Sequence, residues 1–170
     1  MDIKVKLDKG ATFESNNLSD SGYDLRALGY RKVSNNHELT ELVNLDEGDF
    51  IMVKPHETLL IHTGVILQMP EKKDCGDYYK IIEAQLRPRS GSSLKNNKVA
   101  ILGTIDNTYT NYVGVILNNS GNKPIKIEYG EKIAQVVFNE IIKFKNVEIV
   151  EEILDNPERG LNGFGSSGKF

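Results

Sequence analysis

The sequence contains no tryptophan and a single cysteine, Cys75, in 170 residues. A lone thiol excludes an intrachain disulfide and a cysteine-cluster zinc site, and it points to a reducing, cytoplasmic setting. Prolines number five and aromatic residues make up 8%. No apolar run approaches the roughly 18 residues of a membrane-spanning helix, so no membrane partner is expected. The start, Met1-Asp2-Ile3-Lys4-Val5-Lys6, alternates polar and apolar and lacks the hydrophobic stretch of a signal peptide. Basic charge is not in excess either, since 21 Lys+Arg against 24 Asp+Glu leave a net charge of −3. That balance offers no broad basic surface for nucleic acid. With 39% hydrophobic and 26% charged residues, the chain has a globular composition rather than a disordered one. One domain over 1–170 is expected, able to bury roughly 70% of its unfolded surface.

What is present is the periodicity of strands. Ile3, Val5 and Leu7 alternate with Lys4 and Lys6, the pattern of a half-buried strand. Strand-length runs rich in β-branched residues follow at Thr58–Met69, Tyr78–Leu86, Val113–Leu117, Ile125–Ile127, Ile133–Phe138 and Val147–Val150. Turn residues separate them, most clearly Asn119-Ser120-Gly121-Asn122-Lys123-Pro124 and Tyr129-Gly130-Glu131. Many short strands at this spacing indicate a sandwich or barrel. A short helix is expected from near Ser90 toward Lys95. The polar stretch 34–38 and the charged stretch 71–77 read as solvated loop insertions.

Two apparent motifs lead nowhere. The end of the chain, Gly163-Phe164-Gly165-Ser166-Ser167-Gly168-Lys169-Phe170, satisfies G-x-G-x-x-G and most of a Walker A loop. Both need a helix after the glycines to receive phosphate, and Phe170 stands where Ser or Thr is required. His37, His56 and His62 lack the spacing of metal ligands, and Cys75 has no inferable base partner.

Chemistry concentrates in five segments where small residues and charges occur together. They are Ser21-Gly22-Tyr23-Asp24-Leu25, Pro88-Arg89-Ser90-Gly91-Ser92-Ser93, Leu102-Gly103-Thr104-Ile105-Asp106-Asn107-Thr108-Tyr109, Gly130-Glu131-Lys132-Ile133-Ala134-Gln135, and the glycine-rich run from Arg159 to Gly168. The second offers a guanidinium, hydroxyls and backbone N–H groups at a helix start, a donor set suited to an anion. Taken singly, Asp106 also reads as an Asx-turn aspartate, Tyr109 as a strand aromatic and Gln135 as a solvent-facing strand residue.

In order and spacing these segments resemble the five motifs of the trimeric dUTPase family, the deoxyuridine triphosphate nucleotidohydrolases, over nearly the whole chain. The resemblance implies an all-β, jelly-roll-like (β-clip) fold with one short helix, assembled as a homotrimer whose sites draw motifs from different subunits. It implies cleavage of dUTP to dUMP and pyrophosphate, which keeps uracil out of DNA and supplies dUMP for dTMP synthesis. Asp106 becomes the general base for the water that attacks the α-phosphorus. Arg89, Ser90, Gly91 and Gln135 hold the phosphate chain. The hairpin around Gly103, Ile105 and Tyr109 reads uracil, with Tyr109 under the deoxyribose, and Asp24 orients neighbouring motifs. The 158–170 arm brings Arg159 and Ser166 to the terminal phosphate and Phe164 over the base, with Gly165 beside it. Mg²⁺ is carried on the phosphates through water, without direct protein ligands.

The sequence departs from the family pattern after Tyr109, where Thr110-Asn111-Tyr112 replaces the usual Arg-Gly-Glu. This removes the expected support of the hairpin and its subunit contacts. A dCTP deaminase-type enzyme on the same fold would need a glutamate near Ile116, which is absent. A nucleotide-responsive binding protein is the non-enzymatic alternative.

Overall fold

The structure, a computed structural model, describes residues 2–152. In chain order its elements are β1 (Lys4–Leu7), β2 (Tyr23–Arg26), β3 (Gly29–Arg31), β4 (Val43–Asn44), β5 (Phe50–Val53), β6 (Thr58–Gln68), β7 (Lys73–Asp74), β8 (Tyr78–Pro88), α1 (Ser90–Asn96), β9 (Lys98–Ala100), β10 (Gly103–Ile105), β11 (Tyr112–Asn119), β12 (Ile125–Glu128) and β13 (Lys132–Phe144). One sheet runs β4-β3-β6-β11-β9 with β1 also on β6, a second runs β10-β8-β13-β2 with β7 also on β8, and β12 pairs β5. The fold is all-β and jelly-roll-like. No helix among the described residues is long and apolar enough to cross a membrane.

Strand alternation builds the core. On β6, Leu59, Ile61, Thr63, Val65 and Leu67 are buried, and on β11 so are Val113, Val115, Leu117 and Asn119. Side chains two apart share a face, so both strands turn one apolar row inward. From the second sheet come Leu25, Ala84, Leu86, Ala134 and Val136. Each fully buried Leu, Ile or Val contributes about 1.5–3 kcal/mol by leaving water.

One irregularity shapes the site region. The β11–β6 register shifts between Tyr112↔Ile66 and Gly114↔His62, so β6 bulges at Thr63–Val65. Gly64 sits there at φ +68°, and a Cβ would come within 2.9 Å of Leu28. Only glycine fits both the angle and the space.

Several boundaries differ from those expected. The run expected at Ile133–Phe138 continues to Phe144, because Asn139 to Phe144 pair with Glu83 to Tyr78 although the polar residues there break the apolar pattern. Stretch 71–77 is not all loop: Lys73 and Asp74 form β7 on the edge of β8. The strand expected at Val147–Val150 does not form. Val147 and Ile149 are 80% and 95% exposed, and the chain leaves the ladder after Lys145, whose N–H and ammonium are tied to Asp77 and Asp74. The loop at 34–38 closes as expected, with Ser34 N–H donating to Glu38.

Asn119 is fully buried at the end of β11. Its amide nitrogen donates to Val53, Lys54 and Lys123 carbonyls at 2.9–3.1 Å, and its oxygen accepts Gly121 N–H at 3.0 Å. Asn119→Ala leaves these buried groups without partners. The expected loss is about 2–3 kcal/mol, checked by urea denaturation against the parent chain.

Candidate functional site

The second motif lies where β8 stops. Pro88 pairs with Ala134, Arg89 is extended at φ −91° and ψ 121°, and α1 begins at Ser90 without a capping side chain. The first N–H groups of such a helix have no intrahelical acceptor. β13 runs between β8 and β2 and sets Gln135 opposite Arg87 on one side and Asp24 on the other.

These elements enclose a cradle of about 600 Å³. Arg89, Ser90, Gly91, Gln135 and Asp24 line it, joined by Ser21, Gly22, Ser92, Lys95 and Asn96, and by Asn16 and Asp20 from the loop before β2. Over Gly91 no described residue comes within 4 Å of a Cβ position. Gly22 is the opposite case: a Cβ there would lie 2.7 Å from Gln135 Oε1 and 3.1 Å from the Val136 carbonyl oxygen. The absence of a side chain at Gly22 is what lets the Gln135 amide lie against the backbone.

Charge in the cradle is organised around Asp24, which is buried. Its Oδ2 is 2.6 Å from Lys132 Nζ and its Oδ1 is 3.5 Å from Arg89 Nε. Arg89 also donates to the Lys132 carbonyl at 3.4 Å, and Lys132 Nζ donates to Asn16 Oδ1 at 3.1 Å. One carboxylate thus ties the motifs at 21–25, 88–93 and 130–135 together. Arg89 keeps 32% of its side chain exposed, so the guanidinium remains accessible from the cradle.

The third motif forms a separate cavity of about 230 Å³, lined by Gly103, Ile105, Asp106, Tyr109, Val113 and Ile116 among others. Asp106 is exposed just beyond β10. Its carbonyl accepts Tyr109 N–H at 2.9 Å and closes a turn. The Asn107 amide pins that turn to Pro70 and Ile82 carbonyls, both at 2.9 Å. The bond is a backbone one, and among the described residues no hydrogen bond engages the Asp106 carboxylate. The expected closed hairpin is corrected in one respect: β10 pairs β8 whereas β11 pairs β6 and β9. The loop crosses between sheets because Ala84–Leu86 supply an edge for β10.

Among the described residues, cradle and cavity share no lining residue. Within one chain, Arg89, Ser90, Gly91, Gln135 and Asp24 come together, and Asp106 and Tyr109 stand apart from them with Gly103 and Ile105. Arg159, Phe164, Gly165 and Ser166 lie outside the described residues. Asn16, Asp20 and Lys95 were not singled out by the sequence, since a polar loop and a helix-end lysine carry no local signal. Among the described residues no group of three or more His, Cys, Asp or Glu is placed to hold a metal ion. His37 and His56 occupy positive-φ positions, at 62° and 61°.

On this all-β fold the cradle brings together guanidinium, ammonium, hydroxyl and amide donors, the chemistry that suits an anion. A family profile described as dUTPase matches residues 48–168. The chain is 42% identical over 135 residues to a deoxyuridine 5'-triphosphate nucleotidohydrolase of Clostridium novyi (strain NT), covering 78% of this chain and 87% of that protein. A protein of the same name from Treponema denticola is 36% identical over 172 residues, covering 99% of each. Among solved structures, Staphylococcus bacteriophage 80alpha dUTPase with dUPNHPP superposes at a TM-score of 0.72 with 27% identity over 98% of both chains. The chain belongs to the dUTPase family.

Gly22→Ala tests the cradle directly. The new methyl group displaces the Gln135 amide, and pyrophosphate binding by calorimetry is expected to weaken about three- to tenfold, the worth of one hydrogen bond. Gln135→Ala should give a loss of the same size.

Proposed function

We propose that the chain hydrolyses dUTP to dUMP and pyrophosphate. The observation that carries this reading is the convergence of Arg89, Ser90, Gly91 and Gln135 on one cradle while Asp106, exposed and without a side-chain hydrogen bond among the described residues, lines a cavity with Tyr109. The named relatives and the nucleotide bound to the phage enzyme support it.

In the proposed reaction the cradle binds the phosphate chain through the Arg89 guanidinium, the Ser90 hydroxyl, the backbone at Gly91 and the Gln135 amide. Asp24 holds Arg89 in place by charge rather than touching the reacting atoms. Asp106 accepts a proton from water as the water oxygen bonds to the α-phosphorus. The bond from that phosphorus to the bridging oxygen of pyrophosphate breaks. Tyr109 packs against the sugar and leaves no room for a 2′-hydroxyl. Arg159 and Ser166 are assigned to the terminal phosphate, and Phe164 with Gly165 to the base. The cradle's cationic and hydroxyl donors fit phosphate oxygens rather than a bare cation, so Mg²⁺ would be held by the ligand's own phosphates, where it would supply charge neutralisation.

Asp106 and the cradle open into different cavities, in keeping with a complete site assigned to different copies of the chain within a homotrimer: the third motif from one, the fifth from another and the remaining three from the third. Pyrophosphate release from dUTP, dCTP, dTTP and UTP in parallel tests the substrate, and dUTP is expected to be strongly preferred. Asp106→Asn should keep ligand binding and lose about 10²-fold or more in turnover, as expected for a missing general base. Near-normal turnover would remove Asp106 from that role.

Mixing tests the shared site. Asp106→Asn and Arg89→Ala chains, each inactive alone, are expected to regain activity after unfolding and refolding together, because roughly a quarter of shared sites then receive both native residues. No recovery, with mixed trimers verified by mass, would place the whole site within one chain.

A further inference from the structure

Helix α1 carries Ser90 and Gly91 into the cradle, yet it buries no residue of its own. It has seven residues and no capping side chain at its start. A helix that short is marginal by itself in water, so its placement falls to the residues at its two ends. Both ends are tied to consecutive residues where β13 begins. At the start, the Arg89 guanidinium donates to the Lys132 carbonyl at 3.4 Å. Just past the end, Lys98 Nζ donates to Glu131 Oε1 at 2.5 Å.

Lys98 is buried, which lysine almost never is without a partner. The backbone on each side of the pair is fixed independently. Lys98 lies opposite Asn119 in the β9–β11 ladder, and Ser93 Oγ donates to its carbonyl at 3.4 Å. Glu131 closes the turn before β13. Its N–H donates to the Glu128 carbonyl, its own carbonyl accepts Ala27 N–H at 3.0 Å, and its Oε2 accepts Glu128 N–H at 3.1 Å. The ion pair therefore joins β9 of the first sheet to the turn that opens β13 in the second. The next residue is Lys132, whose ammonium meets Asp24 and whose carbonyl meets Arg89. A turn released from Lys98 carries both contacts with it and shifts the guanidinium relative to α1.

We propose that Lys98 and Glu131 are positioning residues whose ion pair fastens the far end of α1 to the turn before β13 and thereby keeps Arg89 and Ser90 in the arrangement that receives pyrophosphate. The inference rests on the reading of the cradle as the phosphate site.

Lys98→Met keeps most of the side chain's length and removes its charge. Its dissociation constant for inorganic pyrophosphate, measured by calorimetry, is expected to rise about tenfold, as for one lost charge-assisted hydrogen bond. KM for dUTP should rise alongside, with kcat changed by less than about twofold because Asp106 opens into another cavity. Glu131→Ala should act alike. Glu131→Gln, whose amide oxygen still accepts from Lys98, should stay within about threefold of the parent. Lys98→Met/Glu131→Leu puts apolar groups in place of the buried pair. It should match the parent in urea denaturation while pyrophosphate binding stays weak, and it carries the same comparison if Lys98→Met fails to fold. Parent-like binding in folded Lys98→Met, or recovery of binding together with stability in Lys98→Met/Glu131→Leu, overturns the positioning role. A parent chain that binds pyrophosphate but releases none from dUTP overturns the hydrolysis reading and leaves the binding comparison in force. A parent that does not bind pyrophosphate overturns both.

Discussion

The ladder between β8 and β13 fixes nearly everything that matters at the cradle. Its register runs from Ala134↔Pro88 to Phe144↔Tyr78, and β13 holds β2 on its other edge with Gln135 opposite Asp24. Because side chains alternate faces with period two, a slip by one residue would send Val136 and Leu86 to the wrong side and Gln135 into the core. Burial of Ala134, Val136, Leu86 and Leu25 makes that slip costly. The apolar face therefore sets the position of the polar one. Arg89 and Ser90 follow immediately, since the ladder ends at Pro88 and the backbone turns into α1.

On this frame the electrostatics have a clear division of work. The chain is acidic overall, yet the buried carboxylate that lines the cradle, Asp24, is already met by Lys132 and Arg89. A buried carboxylate without such partners would repel a phosphate and destabilise the fold. Paired in this way, Asp24 instead restrains two cations and leaves Arg89 partly exposed in the cradle. Asp20 also lines the cradle, and its charge opposes an anion, so the attraction comes from placed donors rather than from net charge. Gly22 and Gly91 contribute by what they lack. One removes a clash beneath Gln135, and the other leaves the approach to the backbone open.

How much of this was legible in the sequence depends on length and pattern. β6 and β11 carry long alternating rows and read easily. Strands of two to four residues such as β3, β4, β7 and β10 carry too few alternations to signal themselves, and they form because a longer neighbour offers an edge. The far half of β13 was missed for the same reason, being held by β8 rather than by its own pattern. Val147–Val150 shows the converse, a β-rich run that finds no edge among the described residues. At the site, Asp24, Arg89, Ser90, Gly91 and Gln135 were legible as types and order, and folding assembles them. Asn16 and Asp20 were not, because only the return of the loop before β2 places them. Lys98 and Glu131 are 33 positions apart, and nothing local in either announces the ion pair that joins them.

The same strand connects the two halves of the chemistry. β8 carries β10 on one edge, which leads to Asp106, and β13 on the other, which presents Gln135, while its end delivers Arg89. Asp106 and Arg89 nevertheless open into different cavities. If each complete site is shared between copies, the two edges of β8 serve two different sites. A well-packed strand moves as a unit, so ordering Arg89 on one ligand constrains the Asp106 turn that faces another. The pinning of that turn by Asn107 to Pro70 and Ile82 limits how far such a shift travels, because one anchor lies on β8 and the other just beyond the end of β6. Under the proposed shared site, this arrangement would make neighbouring sites mechanically adjacent yet individually stiff, which suits a reaction where one base must meet one water at a fixed distance.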